Sequence, residues 1–121
     1  MIYTSYYAKA SKIKNAILVQ VSNSSPIQVD YIIRSAIPTW GIVSAHKNKK
    51  ISDIQYTERY LADTNFTAVK AKLDAIQEAH KDKDIILLCY EKTGTFCHRH
   101  ILAEKLNKDY GLNIKEWENE Y

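Results

Sequence analysis

No apolar run in these 121 residues approaches the roughly 20 that a membrane-spanning helix needs, so nothing reads as a span and no membrane partner is expected. The opening MIYTSYYAKASKIK lacks the basic start, long apolar stretch and small-residue cleavage site of a secretory signal. Cysteine is scarce: Cys89 and Cys97 are the two present. Without a signal, they read as free thiols in a reducing compartment, and the expected localisation is cytoplasmic. Their closeness in sequence leaves a disulfide as the alternative. Charge of one sign is also scarce. Seventeen Lys and Arg face 14 Asp and Glu, for a net +3, which is less bias than nucleic-acid binders show. The lysines at 9, 12, 14, 47, 49 and 50 therefore read as solvated surface. There is no internal repeat, low-complexity stretch or linker, and one domain over residues 1–121 is expected.

What is present is ordinary in bulk and uneven in detail. Apolar residues make up 45% and charged residues 26%, which suits a globular core. Tyrosine is abundant at nine, and such rings half-bury at a core edge or line a ligand cleft. Residues 2–5 read as a first strand. Residues 15–22, NAILVQVS, read as a second, nearly continuously apolar and hence covered on both faces. The turn formers Asn-Ser-Ser-Pro at 23–26 stop it. A helical segment opens at Thr39-Trp40-Gly41 and runs to His46. Ser52 and Gln55 have capping-box spacing, which predicts a helix from there to about Ala62. Phe66, Val69, Leu73 and Ile76 then form the stripe of an amphipathic helix ending near His80. Residues 85–89 form a third strand, residues 96–110 a last long helix stopped by Gly111, and residues 112–117 a short final strand. Buried strands separated by helices predict an α/β fold: a small Rossmann-like three-layer domain, with a mostly parallel sheet of about four strands and helices on both faces. Ligands in such sheets gather beyond the carboxyl ends of the strands.

The chemistry concentrates in residues 85–100, IILLCYEKTGTFCHRH. The strand ends at Cys89, and residues 90–95 form a loop in which Gly94 permits a left-handed turn. Thr95 is placed to cap the following helix, with Cys97, His98 and Arg99 in its first turn. Free amide donors and the positive end of the helix dipole favour an anion there. A thiol at that place tends toward thiolate, Arg99 can fork onto phosphate or carboxylate, and Glu91 and Lys92 add an acid and a second cation. Blander roles compete. Cys89 reads as core, Cys97 as either core or nucleophile, His98 as either a packing residue or a proton carrier, and Arg99 as a surface partner of Glu91 or Glu104. His100 reads as exposed.

Sharper motifs fail on spacing. A tyrosine-phosphatase loop needs arginine six positions after its cysteine, where Thr95 and Ala103 stand. A Walker loop needs Gly-Lys-Ser/Thr, but Thr95 follows Gly94. Zinc wants four well-placed ligands; Cys89, Cys97, His98 and His100 fit no familiar spacing, because neighbours on a helix point apart. No metal and no cofactor are expected.

These residues carry a family resemblance. LLCYEKTGTFCHRHILAEKL resembles the signature of the domain of unknown function 488 family, in which a strand leads to a Cys-x-Glu-Lys loop and a Cys-His-Arg helix start. IYTSYYAK, LVQVSNSSP, ISDIQYTERYLA and GLNIKEW resemble its other elements, so the likeness spans the chain. The resemblance implies a compact Rossmann-like domain, with Cys89, Glu91, Lys92, Cys97, His98 and Arg99 at signature positions. Tyr3, Ser5, Tyr6, Ser22, Tyr56 and Tyr60 match weaker ones. Thr93 stands where proline is frequent and Thr95 where an acid is frequent, and the chain is short for the group.

The resulting expectation is a binder of a phosphorylated small molecule, most simply a nucleotide or a derivative, at residues 89–99. Its ligand-binding residues would be Tyr3, Ser5, Tyr6, Ser22, Tyr56, Tyr60, Cys89, Glu91, Lys92, Gly94, Cys97, His98 and Arg99. The alternative is a thiol-dependent hydrolase or transferase on the same ligands, with Cys97, His98 and Glu91 catalytic. A third reading is a protein- or nucleic-acid-interaction domain using Trp40, Trp117 and the lysines. Beyond the small phosphorylated ligand, a homodimer is the one partner left open.

Overall fold

The computed structural model describes residues 1–92 and 94–118, so Thr93 and its departure from the resembled pattern lie outside the described residues. Five strands form one sheet: β1 (Ile2–Tyr6), β2 (Ala16–Gln20), β3 (Tyr31–Ile32), β4 (Asp84–Cys89) and β5 (Lys115–Glu116). Their order across the sheet is β3-β2-β4-β1-β5, and every pairing is parallel. The fold is thus the expected Rossmann-like α/β arrangement, with a sheet wholly rather than mostly parallel and one strand wider. The added strand, β3, has two residues, too few to show a pattern in sequence. The carboxylate of Asp30, just before it, accepts a bond from the Leu18 amide at 2.8 Å and pins this edge to β2.

The central strand β4 explains why its sequence shows no alternation. Ile85 and Leu87 enter one core, and Ile86 and Leu88 enter another on the opposite face. Both faces are dry, so every position is apolar. The larger core lies under α3 (Asp53–Asp63), α4 (Phe66–Ala79) and α5 (His98–Tyr110) and includes Leu73, Ile76, Leu102 and Leu106. The smaller core is roofed by the four-residue α1 (Tyr7–Ala10), with Tyr7, Ala10 and Ile13 against Ile86 and Leu88. No helix is legible there in sequence, because one turn carries no period.

Local signals set the helix ends. Ser52 and Gln55 form the capping box, with Ser52 Oγ accepting from the Gln55 amide at 3.1 Å and Gln55 Oε1 from the Ser52 amide at 2.8 Å. Asn65 caps α4 and Thr39 caps α2 (Trp40–Lys47), each accepting from the amide three residues on. Gly111 ends α5 in the left-handed region at φ 66°, where a side chain would be strained. Among the described residues, no helix is long and apolar enough to cross a membrane.

Candidate functional site

In a parallel sheet all strands point their carboxyl ends to the same edge, and the loops there gather. A cavity of about 290 Å³ opens at that edge beyond β2 and β4. Ser22, Asn23 and Ser24 follow β2, and Cys89, Tyr90 and Glu91 come off β4. Phe96, Cys97 and His98 lead into α5. Pro38, Trp40, Val43, His46 and Lys47 come from α2 and the segment before it, and Tyr56 comes from α3.

The wall is largely aromatic. Phe96 lies edge-on to Tyr56 at 5.1 Å and tilted against His46 at 4.8 Å. Trp40 is 60% exposed, with Lys47 Nζ 5.7 Å from its ring centre. His46 is held by Asp53 through a 2.6 Å contact. Burial, and then the nearby Glu91 charge, raise the Tyr56 phenol above its ordinary range. Ser22 is fixed by two short bonds: it shares one with Tyr7 Oη at 2.6 Å and donates to the Ser24 carbonyl at 2.7 Å.

The floor is the sulfur–imidazole cluster. The last helix starts later than the sequence suggests: its cap is Cys97, not Thr95. Thr95 instead belongs to the turn before it, where its amide donates to the Lys92 carbonyl and Gly94 adopts φ 89°. Cys97 has extended backbone (φ −156°, ψ 143°) and caps nothing with its sulfur. Its side chain therefore does not diverge from His98 as two helical neighbours would. His98 Nδ1 lies 3.8 Å from Cys97 Sγ, while its Nε2 donates to the Val21 carbonyl. The ring is 6% exposed, and burial pushes it down to about 4, outweighing the Val21 bond, with the Arg99 charge adding to the drop. His98 is thus neutral, with the proton on Nε2 and a lone pair on Nδ1 facing the sulfurs.

Contrary to the expectation of free thiols, Cys89 and Cys97 are joined through their sulfurs, across a Cα separation of 7.8 Å. Both are buried, Cys89 as the sequence suggested.

Arg99 departs furthest from the expectation. It is fully buried and turned inward, away from the cavity lining. Its Nε and Nη2 fork onto the two oxygens of Glu116 at 3.1 and 2.7 Å. Nη1 donates to Cys89 Sγ at 2.9 Å and to the Glu91 carbonyl. Glu116 also accepts from Thr4 Oγ1 at 2.6 Å. The guanidinium is therefore committed to β5 and β4. The surface pairing considered for it, with Glu91 or Glu104 side chains, gives way to a buried pair with a residue 17 positions away.

The remaining sequence-named residues divide cleanly. Ser22, Tyr56, Cys89, Glu91, Cys97 and His98 meet at the cavity. Tyr60 packs behind it, donating to the Ala36 carbonyl at 2.6 Å. Tyr6 sits under Arg99 with its ring centre 5.8 Å from Cζ. Tyr3 turns to the other face, edge-on to Trp117 at 4.9 Å. Ser5 is buried in β1, its Oγ without a bonding partner among the described residues. Lys92 is exposed on the loop, and His100 is half-buried rather than exposed. Sequence reasoning named Trp40 and the lysines only as surface contacts, and it missed His46, Tyr90 and Phe96 as cavity lining. The sequence reading places a helical segment from Thr39 to His46, but only the fold brings it over the end of β4.

A parallel α/β sheet with a Cys-His-Arg helix start beside a strand-end cysteine defines the class resembled above. The family model described as the active DUF488-N3 subclade, DUF488-N3a, matches residues 7–110. The chain belongs to that family. Neither a curated protein nor a solved structure matches it.

Proposed function

We infer that this domain binds a phosphorylated small molecule carrying an aromatic ring system, such as a nucleotide or a nucleotide derivative, in the cavity beyond β2 and β4. The observation that carries this is the pairing of an aromatic wall (Trp40, Tyr56, Tyr90 and Phe96) with the Lys47 ammonium at one opening. Lys47 supplies the charge that Arg99 does not. A volume of about 290 Å³ is at the lower end of ligand pockets. It suits one ring system inside, with the charged portion at the mouth.

Calorimetry against nucleoside mono-, di- and triphosphates and ADP-ribose tests the reading, with Trp40 fluorescence as a second signal. One-to-one binding tighter than about 1 mM, weakened by Lys47→Ala and Trp40→Ala, is expected. A folded chain that binds none of these, with Trp40 emission unmoved, refutes it.

One contact favours a second reading, a thiol-dependent hydrolase or transferase on the same ligands. His98 Nδ1 stands 3.8 Å from Cys97 Sγ, with its lone pair toward a reduced Cys97, and the transfer requires the thiolate–imidazolium pair to offset the loss of basicity that burial imposes on the ring. Iodoacetamide labelling of the reduced protein across pH decides it. A Cys97 that reacts no faster than an ordinary thiol near neutral pH removes the nucleophile.

A further inference from the structure

We propose that the reduced protein holds one thiophilic divalent cation, zinc by its ligand chemistry, between Cys89 Sγ, Cys97 Sγ and His98 Nδ1, with a fourth coordination position open to the cavity. The inference does not rest on the nucleotide reading. It stands on the geometry of the cluster itself.

The three ligand atoms lie within 4.8 Å of one another, and all three residues are buried. They come from two elements that the fold locks together, the end of β4 and the start of α5. A tetrahedral ion with bonds near 2.3 Å to sulfur and 2.0–2.1 Å to nitrogen spaces a sulfur and a nitrogen ligand at about 3.6 Å. Cys97 Sγ and His98 Nδ1 are already 3.8 Å apart. Tetrahedral bonds near 2.3 Å set two sulfurs about 3.8 Å apart, so the joined sulfurs must be reduced and part before the ion enters between them.

The surroundings have the form of a metal site's outer layer. His98 donates its other ring N–H to the Val21 carbonyl, the bond that fixes the tautomer and orientation of a ligating imidazole. Arg99 Nη1 donates to Cys89 Sγ, supporting a thiolate there, and its own charge is balanced by Glu116. Two thiolates and a divalent ion leave the buried cluster neutral, which avoids the cost of stranding charge in the core. Three protein ligands and an open fourth position facing a cavity is the arrangement of reactive rather than structural zinc sites. The ion would meet whatever ligand the cavity takes.

The chemistry balances simply. Each thiol gives its proton to solvent as the ion enters, and no electrons move. From the disulfide form, two equivalents of an external thiol first supply two electrons and two protons and leave as their own disulfide, or a phosphine supplies the electrons and water the protons, leaving the phosphine oxide. A sulfur bound to the ion is not a free nucleophile, so this inference and the thiol-enzyme reading exclude each other.

The test is anaerobic titration of the phosphine-reduced full chain with Co²⁺, read by absorption. One equivalent should bind, with thiolate-to-cobalt charge-transfer bands in the near ultraviolet and tetrahedral d–d bands in the visible. Zn²⁺ should bleach both. Cys89→Ser and Cys97→Ser should each reduce the charge-transfer intensity, and His98→Gln should weaken binding at least about tenfold. Because a core variant can misfold, the wild type gives an independent readout: one equivalent of Zn²⁺ should slow alkylation of both cysteines at least about tenfold. Co²⁺ spectra without charge-transfer bands, or alkylation unaffected by Zn²⁺, overturn the proposal. Binding unchanged in a folded His98→Gln variant overturns the three-ligand site.

Discussion

Replacing Glu116 by glutamine keeps the shape of the partner of Arg99 and removes its charge. Arg99 is wholly inaccessible, and the Glu116 side chain is 16% exposed, so the pair is screened little by water. The fork places two charged hydrogen bonds at 3.1 and 2.7 Å, and Glu116 also holds Thr4. Breaking a buried pair from one side typically costs about 3–5 kcal/mol, because the remaining ion is stranded. Glutamine still accepts one bond and Glu116 is not fully dry, so a loss of about 3 kcal/mol is expected. Unfolding entropy near 2.1 cal/mol/K per residue makes 1 kcal/mol worth about 4 °C in a chain of this length, so Tm should fall about 12 °C. Urea unfolding followed by circular dichroism gives the free energy directly. The double variant Arg99→Met with Glu116→Leu removes both charges and should recover most of the loss. A Glu116→Gln loss below about 0.5 kcal/mol, or a double variant no better than the single ones, would refute the claim that this arginine is structural.

Other expectations follow from the same packing. Tyr60→Phe leaves the buried Ala36 carbonyl unpaired and should cost about 1–2 kcal/mol, seen as a lower urea midpoint at unchanged slope. Burial raises the Tyr60 phenol, with the Tyr56 ring adding to the shift, and burial also raises Tyr56. Their neutral forms are favoured in the folded state, so this contribution is intact below pH 10 and is lost as pH rises above it. Absorbance at the tyrosinate band should show these two ionising only as the domain unfolds, and early ionisation of a Tyr60→Phe-sensitive fraction would contradict it. Leu73→Ala empties a fully buried site in the larger core and should cost about 2–5 kcal/mol by denaturant titration. Ser52→Ala breaks the capping box of α3 and should cost about 1 kcal/mol by the same measurement.

The main frame of the fold was legible because its signals are local. Unbroken apolar runs marked β2 and β4, the Ser52–Gln55 spacing marked the start of α3, and Gly111 marked the end of α5. What escaped was set by distance or brevity. β3 and α1 are too short to carry a period. The commitment of Arg99 to Glu116 depends on β5 lying beside β1, a neighbour relation that no local pattern encodes. The same holds for Trp40, His46 and Lys47, which reach the cavity only because α2 folds over the end of β4. Helical geometry at both Cys97 and His98 would point their side chains apart. Cys97 is the extended residue before the helix, and that single backbone difference brings the two side chains together.

The strand at the middle of the sheet is translated late. β4 bonds β1 on one side and β2 on the other, and both precede it by more than 60 residues. During synthesis, therefore, β1 and β2 lack the strand that joins them, and β2 has only the two-residue β3 beside it, until residues 84–89 leave the ribosome. Such non-local pairing slows folding and lengthens the window for misassociation. A chain interrupted before β4 would have nothing to join β1 to β2, and no site.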